Sequence, residues 1–332
     1  MSGWKMMLKE LKKLKKIEMD LSVIIVCFKG WDRLTRCLEA LDSYSGKDFS
    51  MEVIVVNNNP GDIAFREIEK RFTGYRFIHN TVNGGYSNGC NLGMESAAGE
   101  YLLFLNPDAV ASEDAIQKLL KTVRSDPSIF IASCRQVRRN GKESKPYGIF
   151  PWGKRNRYPK NKISLSEKEG KNVIFPDWVS GSVMMIRKEV FKSLKGFDED
   201  FWMYYEDVDL CRRAREAGGE IAFCNDITIQ HDHGGSTRDD LNITSLAKCE
   251  VQISKHLYIH KHKTGAGKTF IQAFTVADNL LTGIFTGSAG LLFFFIPKLF
   301  VRFLVLLRVT AYYTGSVLRR SWISPRSVNF RK

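Results

Sequence analysis

Gly99-Glu100-Tyr101-Leu102-Leu103-Phe104-Leu105-Asn106-Pro107-Asp108 contains an unbroken apolar run of strand length, Tyr101 to Leu105. A strand with no polar alternation is covered on both faces, which places it in the middle of a mostly parallel sheet. Pro107 lacks the N–H that a ladder needs, so the strand ends before it. Asp108 then stands just past the carboxyl end of a central strand, the edge where open α/β sheets bind ligands. A carboxylate there suits a divalent cation, and a cation suits a diphosphate. Asn-Pro-Asp equally suits an ordinary turn, and these residues alone do not choose.

The flanking sequence repeats the strand–helix alternation that a parallel sheet requires. Leu21 to Phe28 reads as a first strand, and Leu34, Cys37, Leu38 and Leu41 follow at helical spacing. Val53 to Val56 is a second strand, ending in Asn57-Asn58-Asn59-Pro60-Gly61-Asp62, and Ile68 and Phe72 mark one face of the next helix. Arg76 to Ile78 is a short third strand, and Asn83 to Gly93 is a Gly-rich entry to a short helix. Ser112 suits an N-cap for a helix carrying Ile116, Leu119, Leu120 and Val123. The Gly-rich stretch is not G-x-G-x-x-G and does not follow the first strand, which argues against a dinucleotide-binding dehydrogenase.

Residues 135–175 are basic, polar and interrupted by Pro146, Pro151 and Pro159, which suits a lid, an acceptor-binding segment or a decorated loop. Chemistry resumes at Trp178-Val179-Ser180-Gly181-Ser182, where small residues let backbone approach a ligand ahead of an apolar strand. Glu206, Asp207 and Asp209 then open a helix behind Tyr204 and Tyr205. A helix N-terminus stabilises carboxylates, but three acids in four residues exceed what capping needs. A carboxylate beside an acceptor hydroxyl is a general base. A further strand region, Ile221 to Ile229, leads into Gln230-His231-Asp232-His233, and His231 is favoured as a second ligand to a cation on Asp108.

The chain is 44% hydrophobic over 332 residues, enough for a large core. Its seven Cys form no C-x-x-C pair and read as small buried hydrophobes in a reducing compartment. No apolar segment follows the basic N-terminus, so no secretory signal is expected. The net charge is +14, but residues 1–16 hold six Lys and one Glu, and residues 298–332 hold eight Lys or Arg and no acid. The body between is therefore near neutral, which argues against nucleic acid as the partner. Basic ends beside apolar runs point to an anionic membrane surface. Residues 5–17 place Met7, Leu11 and Leu14 opposite Lys, a basic amphipathic helix. From Leu280 the chain is apolar through Leu307, broken by Pro297, Lys298 and Arg302. The clean runs are shorter than a spanning helix needs, so one or two helices lying in the interface are expected, ahead of a membrane hairpin or a subunit interface.

With these pieces together the chain resembles an inverting family 2 glycosyltransferase, most like the bacterial rhamnosyltransferase branch. The resemblance runs from about Leu21 to Thr237. Its marks are Ser22-Val23-Ile24-Ile25-Val26, Val55-Val56-Asn57-Asn58, Asn83-x-Gly85-Tyr86 with Asn91-x-Gly93, and the run from Gly99 to Asp108. They continue with Ser180-Gly181, Gly196-Phe197-Asp198-Glu199 with Tyr205-Glu206-Asp207-Val208-Asp209-Leu210, and His231 with Gly235-Ser236.

The resemblance implies an α/β GT-A fold, a Rossmann-like central mostly parallel sheet flanked by helices, over residues 20–240. Residues 1–19 would add the basic helix, and residues 241–332 a C-terminal helical, membrane-associating appendage. It implies a metal-dependent transfer from a nucleotide sugar, with Mg²⁺ or Mn²⁺ held by Asp108 and Asp207 as general base. Cys27, Asn57, Asn59, Gly85, Asn91 and Asn106 are expected on the donor side. Trp178, Gly181 and Glu206 are expected on the acceptor side. Asn106 stands where many members carry Asp, though Asn-Pro-Asp is common in the rhamnosyltransferase branch, and Asn57 stands where relatives often place an Asp that contacts the base, which leaves base selectivity open. The implied donor is a dTDP- or UDP-sugar, rhamnose from dTDP-rhamnose first, then galactofuranose, glucose or N-acetylglucosamine. The implied acceptor is lipid-linked or a growing polysaccharide, met at the cytoplasmic face of the plasma membrane by a peripheral enzyme. A non-catalytic nucleotide-sugar-binding assembly subunit is the alternative, disfavoured because Asp108 and Asp207 are both kept.

Overall fold

The computed structural model describes residues 19–151, 172–232 and 240–330. The expected helix at 5–17, much of the 135–175 segment, and His233 through Thr237 lie outside the described residues. Four strand–helix units open the fold: β1 (Leu21–Cys27), α1 (Trp31–Asp42), β2 (Met51–Asn57), α2 (Ile63–Arg71), β3 (Arg76–His79), α3 (Gly85–Glu95), β4 (Tyr101–Leu105), β5 (Ala109–Val110) and α4 (Glu113–Ser125). The Ser112 hydroxyl caps α4 by accepting the Ala115 N–H. Then come β6 (Ile129–Val137), the short β7 (Glu143–Ser144), β8 (Tyr147–Gly148), β9 (Val173–Ile174) and β10 (Trp178–Val179), and β11 (Val183–Arg187). After these, α5 (Lys188–Ser193), α6 (Glu206–Glu216) and β12 (Glu220–His231) complete the α/β body. Residues 135–137, expected in a loop, continue β6, because Gln136 and Val137 pair with both β7 and β12.

The main sheet runs β3-β2-β1-β4-β11-β6-β12-β5. Neighbours β3, β2, β1 and β4 are parallel, as are β6 and β12. Strand β11 is antiparallel to both β4 and β6, because the chain re-enters the sheet from the ligand-binding edge. The five residues of β4 are all buried. Leu103 and Leu105 enter the cluster under α1, α2 and α4, and Leu102 and Phe104 enter the cluster under α3, α5 and α6. All seven cysteines are buried and free.

Three long helices follow: α7 (Leu241–His262), α8 (Gly265–Leu292) and α9 (Pro297–Arg319). Helix α7 sinks Leu257 and Tyr258 into the same cluster as Phe104, so it belongs physically to the body. Helix α8 starts at Gly265, earlier than the apolar run suggests, and Pro297 sits in the first turn of α9, where its missing N–H costs nothing. A Cβ on Gly290 would run into the Leu299 carbonyl, and one on Gly287 would lie 2.9 Å from Leu306 Cδ2, so α8 and α9 meet at glycine. Phe270, Phe274, Phe285, Phe294, Val317 and Leu318 are exposed on this pair. By length and composition α9 is long and apolar enough to cross a membrane.

Candidate active site

Strands β1 to β4 and β6 and β12 all end at one edge of the sheet, and β11 begins there. That edge therefore gathers Asn57 to Asn59, Asn106, Asp108, Ser180 to Ser182, Gln136 and His231. Pro107 ends β4, and the chain then crosses over β11 and β6 to pair with the end of β12 as β5. The register places Ala109 opposite His231, and the Asp232 N–H is donated to the Asp108 carbonyl at 3.3 Å. The Asp108 carboxylate is thus brought to 3.0 Å from His231 Nε2.

The His231 ring is buried and fixed. Its Nδ1 donates to Gln136 Oε1 at 2.7 Å, leaving Nε2 as the atom turned to Asp108. Ser182 Oγ donates to the same Gln136 oxygen at 3.0 Å, and the Asn106 N–H is donated to the Ser182 carbonyl at 2.9 Å. One hard carboxylate and one oriented imidazole fit Mn²⁺, and less well Mg²⁺, which prefers oxygen alone. Among the described residues there is no group of three His, Cys, Asp or Glu that could hold an ion. Asp108 and His231 could supply two ligands to such an ion, and diphosphate oxygens and water would have to supply the rest. Gln136 is the member of this site that the sequence reading missed. It lies near the end of β6 between Arg135 and Val137, and a lone glutamine there marks no chemistry.

Asp207 meets the same sheet edge from α6. Its Oδ2 accepts the Gly181 N–H at 3.0 Å, and its Oδ1 accepts the Val208 N–H at 2.8 Å. Tyr86 holds the other side of that residue by donating its hydroxyl to the Gly181 carbonyl at 2.6 Å. Burial raises the Asp207 pKa from its ordinary value, against the pull of those N–H groups. Glu206 is buried behind it, near Tyr86 and Cys90, and is pushed well above its ordinary value by burial and then by the Asp207 charge. Its Oε2 has no hydrogen-bond partner. Glu206 is thus buried behind Asp207, not open to an acceptor as the sequence suggested. Burial would also raise Asp209, but His262 at 2.7 Å and Arg213 at 2.8 Å hold it below its ordinary value.

The turn that delivers these acids is strained. Tyr204 and Tyr205 both adopt left-handed backbone, with φ of 69° and 64°. Each costs about 1–3 kcal/mol and persists only where the surroundings enforce it.

On the donor side the expected residues divide. Asn57 is buried, with its Oδ1 accepting the Asn59 N–H at 2.8 Å, and Asn59 donates its amide to Asp62 at 2.8 Å. Asn58 donates to the Gly85 carbonyl at 2.8 Å. Gly85 has φ of 85° and packs where a Cβ would run into the Trp202 carbonyl. Two donor-side residues, Cys27 and Asn91, and Trp178 from the acceptor side spend their polar groups within the fold. The Cys27 thiol is buried and turned to the Val56 carbonyl at 3.5 Å. Asn91 spends both ends of its amide on the fold, accepting the Phe197 N–H at 3.0 Å and donating to Phe197 O and Glu199. Trp178 donates its indole N–H to the Ile149 carbonyl at 3.0 Å and lies over Gly148.

Residues 22–194 match the sequence profile of "Glycosyl transferase family 2". The chain belongs to this family. Residues 174–233 also match the profile described as "N-terminal domain of galactosyltransferase". Among curated proteins, the rhamnosyltransferase WbbL of Escherichia coli K12 is 27% identical over 213 residues, covering 60% of this chain and 79% of WbbL. The N-acetylglucosaminyl-diphospho-decaprenol L-rhamnosyltransferase of Mycobacterium tuberculosis is 25% identical, covering 66% of this chain and 78% of its own. The mannosyltransferase PcManGT of Pyrobaculum calidifontis, solved with GDP-Man and Mn²⁺, superposes with a TM-score of 0.51 at 12% identity, over 92% of this chain and 76% of its own. GalNAc-T7, solved with UDP, GalNAc and Mn²⁺, gives 0.52 at 15% identity, over 73% of this chain and half of its own. At these identities the structures show the GT-A fold. This family 2 glycosyltransferase is an enzyme of glycan biosynthesis whose relatives are rhamnosyltransferase-like.

Proposed function

We propose that this glycosyltransferase transfers a sugar from a nucleotide-sugar donor with inversion, with Asp207 as general base and Asp108 and His231 as the ligands of a divalent cation. One observation carries this reading. A continuous path of hydrogen bonds and backbone joins the two carboxylates, from Asp207 through Gly181, Ser182, Gln136 and His231 to Asp108. The bound cation would neutralise the leaving diphosphate. Asp207 takes the proton from the acceptor hydroxyl as that oxygen attacks the anomeric carbon. The raised Asp207 pKa makes the carboxylate a stronger proton acceptor than a solvated one. A single displacement from the face opposite the diphosphate inverts the anomeric centre.

The rhamnosyltransferase relatives favour dTDP-rhamnose as the donor, with UDP-sugars of galactofuranose, glucose or N-acetylglucosamine after it. The mycobacterial relative's name favours a lipid-diphosphate-linked acceptor, and the exposed apolar α8–α9 pair favours peripheral binding to an anionic membrane at the cytoplasmic face. The decisive experiment screens these donors for nucleoside diphosphate release with polyprenyl-diphosphate-linked N-acetylglucosamine, with Mn²⁺, with Mg²⁺ and with chelator. Metal-dependent release from one donor is expected. Nucleotide-sugar binding with no release from any donor would turn the assignment to a non-catalytic binder.

A further inference from the structure

The strained turn before Asp207 is held from outside the α/β body. After α9 the chain returns across the catalytic side. Ser327 Oγ donates to the Glu199 carbonyl at 2.7 Å, and Asn329 donates its amide to Asp200 at 3.0 Å. Arg326 lies with its guanidinium 5.8 Å from the Trp202 ring centre and is fixed by Glu250 of α7 at 3.2 Å. Lys261, one residue from the end of α7, bridges Asp198 at 2.7 Å and Asp200 at 2.6 Å. Ser254 Oγ donates to the Met203 carbonyl at 2.8 Å.

From the other side the same segment is held by the body. Asn91 grips Phe197 and Glu199, and Trp202 accepts the Tyr86 N–H at 2.8 Å. Residues 198–203 are therefore pinned between the donor half of the molecule and the C-terminal strap. They run directly into Tyr204 and Tyr205, whose left-handed backbone aims Asp207 at Gly181.

We infer that residues 326–329 are a positioning strap for the general base, and that Ser327 and Asn329 act on turnover through the turn at 204–205 without touching substrate. The Ser327 hydroxyl also accepts the Asn329 N–H at 3.0 Å, which orders the strap itself. Outside the strap these two neutral side chains bond to the Glu199 carbonyl and the Asp200 carboxylate, and neither reaches Asp207 directly. The inference rests on the base assignment, so its test needs a readout that does not depend on that assignment.

The experiment compares full-length wild type, the Ser327→Ala/Asn329→Ala double variant and Ser327→Thr. It measures turnover at saturating donor, titrates binding of the nucleoside diphosphate, and follows amide hydrogen exchange of residues 198–209. The double variant is expected to lose about tenfold in kcat, the effect of ~1.4 kcal/mol, with nucleotide affinity unchanged. Exchange is expected to quicken in 198–209 and to stay unchanged in β1 and β4. Ser327→Thr, which keeps the hydroxyl, should restore its share of both. Unchanged exchange in the double variant would overturn the strap. Quickened exchange with unchanged kcat would show that the strap holds the turn but does not set the chemistry, which also overturns the proposal. Quickened exchange throughout, including β1, would reduce the contacts to ordinary stability. A failed base assignment is recognised separately, by an active Asp207→Asn enzyme.

Discussion

Asp207→Asn keeps the size and shape of the side chain and removes its basicity. In the native site both oxygens accept backbone N–H groups, from Gly181 at 3.0 Å and Val208 at 2.8 Å. An asparagine can satisfy only one of them, a loss of about 0.5–1.5 kcal/mol. The substitution also removes a charge that burial disfavours beside Glu206, which offsets that loss. The melting temperature should therefore stay within about 3 °C of wild type. Turnover should not survive. Removing a general base costs roughly 10²–10⁴-fold, or about 2.7–5.4 kcal/mol of transition-state stabilisation. The assay is nucleoside diphosphate release at saturating donor and acceptor, alongside titration of the nucleotide to show that binding persists. In wild type, kcat should climb with pH through a midpoint raised from the ordinary aspartate value, because the base must be ionised and burial raises its pKa. A variant within about threefold of wild-type kcat would refute the reasoning.

Three further outcomes follow from the same geometry. Gln136→Leu removes the acceptor that orients His231 Nδ1, so the Mn²⁺ concentration for half-maximal activity should rise roughly 10–100-fold with folding intact; an unchanged metal titration would remove His231 from the ligand set. Glu206 binds its proton more tightly folded than unfolded, so its contribution to stability is complete below the ordinary carboxylate range and is lost as pH rises above it. Glu206→Gln escapes that loss, and its melting temperature relative to wild type should increase between about pH 5 and about pH 8; a constant difference by differential scanning fluorimetry would contradict the assigned shift. Gly290→Ala forces a methyl against the Leu299 carbonyl, which should destabilise the α8–α9 contact by about 1–3 kcal/mol, read as earlier protease cleavage within 265–319.

The course of β4 was legible because five apolar residues followed by Asn-Pro-Asp leave few other readings, and Asp108 came with it. Asp207 was legible for a different reason: acids are dense at the start of α6, and their density exceeds what a cap requires. What brings Asp108 to His231 was not legible. It is a two-residue strand, Ala109–Val110, too short to carry any periodicity. Gln136 was hidden because a lone glutamine between Arg135 and Val137 marks no chemistry, and its role depends on a ring 95 positions away. Asn91 misled the reading because an amide in a Gly-rich segment suits a phosphate as well as it suits Phe197 and Glu199. The antiparallel β11 was equally unreadable, since an apolar strand does not reveal its direction.

The return of residues 326–329 to the catalytic face has a practical consequence for handling the enzyme. The oily helices 265–319 invite removal when a soluble sample is wanted. Cutting the chain before them would also discard Ser327 and Asn329 and leave Glu250 buried without Arg326. Such a shortening would also strip Val309, Tyr312 and Tyr313 from Cys249 and Ile253 and leave His256 without Gln272 and Tyr313, so the enzyme would expose apolar surface and be poor at its chemistry. Replacing the exposed Phe270, Phe274 and Phe285 with polar residues, while keeping the chain through Asn329, is the sounder route to a soluble and active form.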